Sequence, residues 1–206
     1  MDVKGSRFSN SKRKSRIRQI LTRKLQRIFW VYLTKNFIIT SAVDVQSSEP
    51  ATKCSFVPIT LDNYFRVGDF REKGRIAEYQ DKLVHRELGF FAECEGKMIA
   101  SIWATVNDTN APTVVRAHMR LAPNEALVHD IVTGENSRGM GVGPFMVGRL
   151  ATTLLNDYQV DRIIIDVNFN NNASLRMMDK VGLRAKEQML YVSVFGKLVL
   201  QKAIGS

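Results

Sequence analysis

A histidine and an aspartate stand side by side ahead of a glycine-rich turn, in the stretch HDIVTGENSRGMGVGPF. His129 is suited to accepting a proton at neutral pH, because an imidazole titrates near pH 6.5. Asp130 is the second candidate base. Successive side chains of a strand alternate, so we expect only one of the two to face a reaction site. The alternatives are a hydrogen-bonded structural histidine and a salt-bridged structural carboxylate.

The turn that follows holds three glycines within five positions, Gly139, Gly141 and Gly143, directly after Arg138. Glycines between a strand and a helix expose backbone N–H groups, and the first helical turn adds unpaired donors and a positive dipole end. Such a turn binds phosphate or pyrophosphate, and Arg138 can add a charged contact. The spacing fits neither the dinucleotide fingerprint nor the nucleoside-triphosphate loop. A plain glycine-rich turn is the alternative.

Hydrophobic periodicity indicates which elements hold these residues. Strands are predicted at 53–60, 89–106 (a hairpin), 125–133, 162–169 and 190–202, and helices within 60–88, 144–157 and 172–181. The pattern predicts a mixed α/β domain of the α+β kind, with a largely antiparallel sheet and one strand–helix–strand unit. Strand 125–133 and helix 144–157 are the elements that must position the candidate base and the glycines.

The run Arg138-x-x-Gly141-x-Gly143 resembles the signature of the GNAT superfamily of acyl-CoA-dependent N-acyltransferases. A second segment, with Asn171, Ser174 and Gly182-Leu183, is similar to the later motif of that family. The order of predicted elements over about 53–203 is similar too. The resemblance implies a single GNAT-like domain whose fourth and fifth strands splay apart, with acetyl-CoA as co-substrate.

The resemblance also implies which residues bind the cofactor. The pantetheine arm of acetyl-CoA would pair with the backbone of Ile131, Val132 and Thr133. The pyrophosphate would lie on Arg138, Gly139, Met140, Gly141, Val142 and Gly143, and Asn171 and Ser174 would face the cofactor from the other side. A backbone N–H near Val132–Thr133 would stabilise the developing oxyanion.

Met178 departs from the pattern of the family, because many relatives carry there a tyrosine that protonates the leaving thiolate. The acid is then water, another side chain such as Tyr191, or no dedicated group. We expect an N-acetyltransferase that acts on a primary amine, such as an amino sugar. The alternatives are a protein or peptide N-acetyltransferase and a non-catalytic CoA-binding module docked by a basic arm.

Positive charge is concentrated at the N-terminus, where residues 1–40 hold eleven of the 30 Lys and Arg but one of the 20 acidic residues. The remaining chain is neutral, so we expect no nucleic-acid partner. Residues 16–33 have a helical period with a basic side, which predicts a helix that contacts a membrane surface or folds back on its own domain. The predicted domains are the arm at 1–45, a linker at 46–52 and the GNAT domain at 53–206.

Two cysteines, Cys54 and Cys94, are too few for a disulfide framework, and no Cys/His cluster predicts a metal site. We expect both to be reduced, as in an intracellular protein. The expected location is therefore the cytoplasm, with attachment at a membrane surface or organellar targeting by the Arg-rich arm as alternatives. The acceptor-side segments, 60–85 and 107–124, hold arginines that suit an anionic acceptor, or a solvated surface of mixed charge. A homodimer is compatible with the sequence.

Overall fold

The computed structural model describes residues 29–46, 49–115 and 119–205, which form an eight-stranded sheet with helices on both faces. The strands are β1 (Phe29–Ile39), β2 (Cys54–Pro58), β3 (Leu88–Cys94), β4 (Lys97–Val106), β5 (Thr113–Val115), β6 (Met119–Leu121), β7 (Glu125–Thr133), β8 (Arg162–Asn168), β9 (Ala185–Val194) and β10 (Lys197–Gly205). The α-helices are α1 (Ile76–Val84), α2 (Val142–Asn156) and α3 (Asn172–Lys180). Short 3₁₀ helices lie at Ala42–Asp44, Tyr64–Asp69, Lys73–Arg75 and Glu135–Ser137.

The sheet has the order β10-β9-β1-β8-β7-β4-β3-β2, and β5 and β6 form a separate hairpin. Every pair in the large sheet is antiparallel except β7 and β8, which are parallel and joined through α2. The predicted α+β fold with a mostly antiparallel sheet is therefore confirmed. The hairpin β5–β6 lies within residues 107–124, for which the hydrophobic periodicity predicts no strand.

Strand β1 corrects the predicted division of the chain. It lies between β8 and β9 and pairs with both, so residues 29–39 belong to the interior of the sheet and not to a separate arm. The predicted helix over 16–33 is wrong for 29–33, because the run FWVYLTKNFII is rich in aromatic and branched residues that favour a strand. The rest of that helix, 16–28, lies outside the described residues.

The predicted linker, 46–52, is tied to the domain where the structure describes it. The N–H of Gln46 donates to the carbonyl of Val181 at 2.9 Å, and the N–H of Ala51 donates to that of Met140 at 2.9 Å. This segment therefore crosses the end of α3 and the start of α2. The domain begins no later than Phe29.

Different helices and strands pack on the two faces of the large sheet. On one, the α2 face, Phe145 and Met178 pack on sheet residues such as Ile102 and Val128. On the other, the α1 face, one cluster lies with α1 and includes Trp103, while a second lies with the β5–β6 hairpin. Strand β7 contributes residues to the hydrophobic clusters on both faces of the sheet.

Cys54 and Cys94 form a disulfide, so the prediction that both are reduced is wrong. They lie directly opposite each other on β2 and β3, with 4.4 Å between their Cα atoms. Strand pairing brings them within bonding distance, although 40 residues separate them in the sequence. The disulfide also removes the reason for which the cysteines favoured an intracellular location.

Gly89 is required because the ring of Trp103 lies against its backbone. A Cβ at this position would lie 2.6 Å from Trp103 Cζ3, and the Trp103 ring is fully buried beside Tyr79. We expect Gly89→Ala to lower the free energy of unfolding by about 2 kcal/mol, through overpacking. Chemical denaturation measures it, with Gly74→Ala as control, since a Cβ there meets nothing within 4 Å. Equal stability of the two variants would contradict the prediction.

Candidate functional site

Strands β7 and β8 separate halfway along their length. They pair from Glu125 opposite Arg162 to Val128 opposite Ile165, and no further. These are the fourth and fifth strands of the sequence prediction, whose splay is thereby confirmed. A cavity of about 320 Å³ opens between them. It brings together six predicted site residues: His129, Asp130, Ile131, Val132, Asn171 and Ser174.

A β-bulge in β7 lies at the edge of this cavity. Opposite β4, Val132 pairs with Ser101 and His129 with Trp103, so two residues of β7 face one of β4. Asp130, within the bulge, has a φ of 48°, in the left-handed region. The bulge thus precedes Val132–Thr133, where the oxyanion donor was predicted, by one or two residues.

The bulge also overturns the expected alternation of His129 and Asp130. An extra residue turns the strand locally, so side chains no longer point to opposite faces. Both residues line the cavity, and His129 Nδ1 lies 3.7 Å from Asp130 Oδ2. The two candidate bases are therefore neighbours in one site.

The imidazole of His129 contacts two polar side chains through its Nε2 atom. Its side chain is 6% exposed, with Nε2 3.0 Å from Thr105 Oγ1 and 3.4 Å from Glu87 Oε2. A carboxylate only accepts hydrogen bonds, so Glu87 favours the tautomer with the hydrogen on Nε2. Nδ1, on the side of Asp130, is then the basic nitrogen.

Asp130 also forms an ion pair with a buried lysine. Its carboxylate contacts the ammonium group of Lys82, whose side chain is 6% exposed. That ammonium also lies 3.2 Å from Glu78 Oε1 and 5.0 Å from the centroid of the Trp103 ring. Burial raises the pKa of Glu78, but hydrogen bonds from Arg75 and Lys82 outweigh it and leave the pKa below its usual value. Because Lys82 stabilises the Asp130 carboxylate, His129 is the better candidate base.

The glycine turn leads into α2 with its backbone donors unused. Gly139 and Gly141 have φ values of 83° and 81°, which few residues other than glycine adopt. Among the described residues, no group accepts a hydrogen bond from the N–H groups of 139–143. The side chain of Arg138 is 65% exposed, 3.8 Å from Glu135. Five N–H groups at a helix start, beside an arginine, are suited to binding an anion, and we refer to residues 139–143 as the anion-binding turn.

Gly143 has a further reason to be glycine. A Cβ there would lie 2.6 Å from Met177 Sδ, so Gly143 allows α2 and α3 to approach closely. Met177 in turn lines the cavity between β7 and β8. The turn itself, with Met140 and Val142, lines neither that cavity nor the second one, and Met140 packs against the core.

A second cavity, of about 880 Å³, adjoins the first across β7, and Val132 lines both. It contains two predicted cofactor-binding residues, Thr133 and Arg138, together with Arg71 and Arg75. The predicted cofactor residues are thus divided between two cavities, which share Val132, and the turn at the start of α2.

Asn171 and Ser174 combine a structural role with their place in the first cavity. The side-chain oxygen of Asn171 accepts the N–H of Ser174 at 3.1 Å, which caps the N-terminus of α3. Both residues also line the first cavity.

Tyr191 is not placed to act as an acid in this cavity. It is fully buried and lines neither cavity, and Asn36 Nδ2 donates to its hydroxyl at 3.2 Å. Burial raises the pKa of Tyr191 to about 12. The sequence pattern missed Tyr32, which does line the first cavity, because residues 16–33 were interpreted as a helix. The β-favouring composition of 29–39 was the signal that could have found it.

No helix among the described residues combines the length and the apolar character needed to cross a membrane. A search of the curated proteins finds no match to this chain.

Comparison with solved structures finds several similar folds at low identity. A Drosophila protein shares 12% identity with a TM-score of 0.53 over 87% of this chain and 56% of its own. A glucosamine N-acetyltransferase region of a fungal multi-domain β-N-acetylglucosaminidase shares 16% with a TM-score of 0.55 over 85% of this chain and 22% of its own. AAC(6')-Iy, solved with the bisubstrate analogue CoA-S-monomethyl-acetylneamine, shares 12% with a TM-score of 0.52 over 66% and 94%.

The chain thus spans little more than half of the Drosophila protein. Likeness at these identities establishes the fold alone. The family model described as "Acetyltransferase (GNAT) family" matches residues 55–183, which is more than half of the chain and includes β7, the glycine turn and both motifs. The chain belongs to the GNAT family of acetyltransferases.

Proposed function

We propose that the protein is an N-acetyltransferase that uses acetyl-CoA and a primary amine. The observation that carries the proposal is the anion-binding turn, Gly139–Gly143, at the end of a bulged strand that has parted from its neighbour. In the proposed complex the acyl group lies at the bulge of β7, and the pyrophosphate lies on the turn that follows β7 in the chain. Acetyl-CoA supplies the activated acyl group as a thioester.

The residues of this chain have distinct roles in that reaction. Among the described strands, none pairs with β7 on the β8 side beyond Val128, so the backbone of Ile131, Val132 and Thr133 can bind the pantetheine arm as an added strand does. A backbone N–H of Val132 or Thr133, just after the bulge, is the donor for the developing oxyanion. His129 takes a proton from the attacking amine, directly or through water.

For the acceptor we propose a small cationic amine, such as an amino sugar. Two carboxylates, Asp130 and Asp166, line the first cavity together with the amides of Asn168 and Asn171. Carboxylates and amides bind the ammonium and hydroxyl groups of such molecules. Of the similar structures, one is described as a glucosamine N-acetyltransferase region and another holds a bisubstrate analogue of CoA and acetylneamine, which is compatible with this class for the fold.

The arginines of the acceptor side give less support to an anionic acceptor. Arg66 lies 3.2 Å from both Asp69 and Glu93, and Arg75 lies 2.8 Å from Glu78. Each of these arginines therefore already has an acidic partner. Arg116 lies outside the described residues.

The experiment combines binding with turnover. Calorimetric titration with acetyl-CoA is expected to give micromolar binding, and a free-thiol assay is expected to detect CoA release with glucosamine or neamine. A peptide with a free N-terminal amine tests the protein-acetylating alternative. Binding without turnover on any amine would favour the non-catalytic module, and absence of binding would overturn the proposed function.

A further inference from the structure

Tyr32 lines the first cavity, and the proposed function gives it no role. It lies on β1, outside the residues matched by the family model, and is half-buried. Its ring stacks on Trp30 with 4.7 Å between centroids, and it packs against the hydrophobic cluster beside the β5–β6 hairpin. It lines the same cavity as His129 and Met178.

The strand register shows how Tyr32 reaches that cavity. The last residues of β1 and β8 that pair are Thr34 and Asn168, so Tyr32 lies two positions further along β1, where β8 has ended. Its side chain shares the α1 face with Leu127 of β7, the face on which His129 also lies. Tyr32 and His129 therefore approach the cavity from the same face, on opposite sides of β8.

A thioester acyl transfer needs a proton donor as well as a base, because the sulfur leaves as a thiolate. Asp130 and Asp166, when ionised, can only accept hydrogen bonds, and the thioether of Met178 has no proton to give. The remaining polar lining groups besides His129 and Tyr32 are amides and the hydroxyl of Ser174, which are far weaker acids than a thiol. A phenol is close to a thiol in acid strength, as proton transfer to a thiolate requires.

We propose that Tyr32 donates the proton to the departing CoA sulfur, an inference that rests on the proposed function. The amine nitrogen forms the new N–C bond with its lone pair, and its extra proton passes to His129. The C–S bond breaks with its electron pair on sulfur, and the phenolic proton of Tyr32 passes to that sulfur. Tyr32 then regains a proton from solvent as His129 releases one, so the net products are the amide and CoA thiol.

The test compares Tyr32→Phe with Tyr191→Phe. Both remove one phenolic hydroxyl and keep the ring, and the two residues are directly opposite on β1 and β9. The Tyr191 hydroxyl lies outside the cavity, so its variant controls for loss of a phenol on this face. Binding is measured by calorimetry at pH 9, where part of the CoA thiol is ionised and a phenol is still mostly protonated, with free CoA and with acetyl-CoA.

Tyr32→Phe is expected to weaken binding of free CoA about tenfold at pH 9, because it removes a hydrogen bond to a charged sulfur. Binding of acetyl-CoA should stay within about twofold, since a thioester sulfur is a poor acceptor. With glucosamine or neamine, kcat should fall about tenfold or more, and the alkaline decline of wild-type activity should be lost. Tyr191→Phe should keep the wild-type ratio of CoA to acetyl-CoA affinity, the wild-type kcat and the alkaline decline.

Two outcomes separate this inference from the proposed function. If wild type binds and turns over acetyl-CoA while Tyr32→Phe keeps its kcat and its ratio of CoA to acetyl-CoA affinity, Tyr32 is not the proton donor. If wild type fails to bind acetyl-CoA, the proposed function itself is overturned. An equal loss of affinity for CoA and acetyl-CoA would make Tyr32 a packing residue and also overturn the inference.

Discussion

His129→Gln is expected to lower kcat by about 10²- to 10³-fold, the usual contribution of a positioned general base. Glutamine offers an amide N–H that can replace the Nε2 contacts with Thr105 and Glu87, while it has no basic nitrogen at the position of Nδ1. The affinity for acetyl-CoA should change by no more than about twofold, because the proposed pantetheine and pyrophosphate contacts are backbone groups of Ile131–Thr133 and of the turn at 139–143.

The measurement is a pH profile of kcat/KM for both proteins, with calorimetry of acetyl-CoA beside it. Wild-type activity should decline towards acid pH as the imidazole becomes protonated, and the variant should lack that decline. His85→Gln is the matched control, since that side chain is 67% exposed and lines neither cavity. If His129→Gln kept the wild-type rate and acid limb, Asp130 or solvent would be the base.

Gly139→Glu is expected to weaken binding of acetyl-CoA about a hundredfold. The new carboxylate would lie beside the N–H groups of the anion-binding turn, where it would repel a phosphate and compete for its donors. Loss of about two charge-assisted hydrogen bonds corresponds to a change of this size. Calorimetric titration with acetyl-CoA measures the loss.

Gly196→Glu controls for backbone strain. Gly139 and Gly196 have φ values of 83° and 74°, and a Cβ at either would meet nothing within 4 Å. Both variants should therefore lose similar stability in thermal denaturation, but Gly196 lies in the β9–β10 turn, far along the chain from the anion-binding turn. Equal affinities of the two variants for acetyl-CoA would show that the turn does not bind the phosphates.

Local sequence signals were sufficient for much of the site. The β-favouring run of β7, the glycines and the helical period of α2 are encoded within a few neighbouring residues, and from them the sequence predicted the strand, the glycine turn and the place of His129 on β7. The motif with Asn171 and Ser174 marked the start of α3 in the same way. These features need no knowledge of distant partners.

Other features depended on contacts that the sequence does not display. One extra residue at Asp130 changed the direction of the side chains, and a bulge has no reliable local signature. The disulfide depended on the register of β2 and β3. Strand β1 pairs with β8 and β9, which lie near the other end of the chain, so the local sequence does not show its partners. The helical spacing of 16–33 therefore predicted a helix in spite of the β-favouring composition of 29–39, and Tyr32 was missed for that reason.

The position of β1 has a consequence for the order in which the protein folds. Its residues leave the ribosome first among the described strands, yet their neighbours in the sheet, β8 and β9, are among the last to be made. Until then β1 cannot take its place, and contacts of such long sequence separation slow folding. A nascent chain therefore carries an unpaired strand through most of its synthesis, with Phe37 and Ile39, which the folded sheet buries, still exposed, and that interval is the one most sensitive to aggregation.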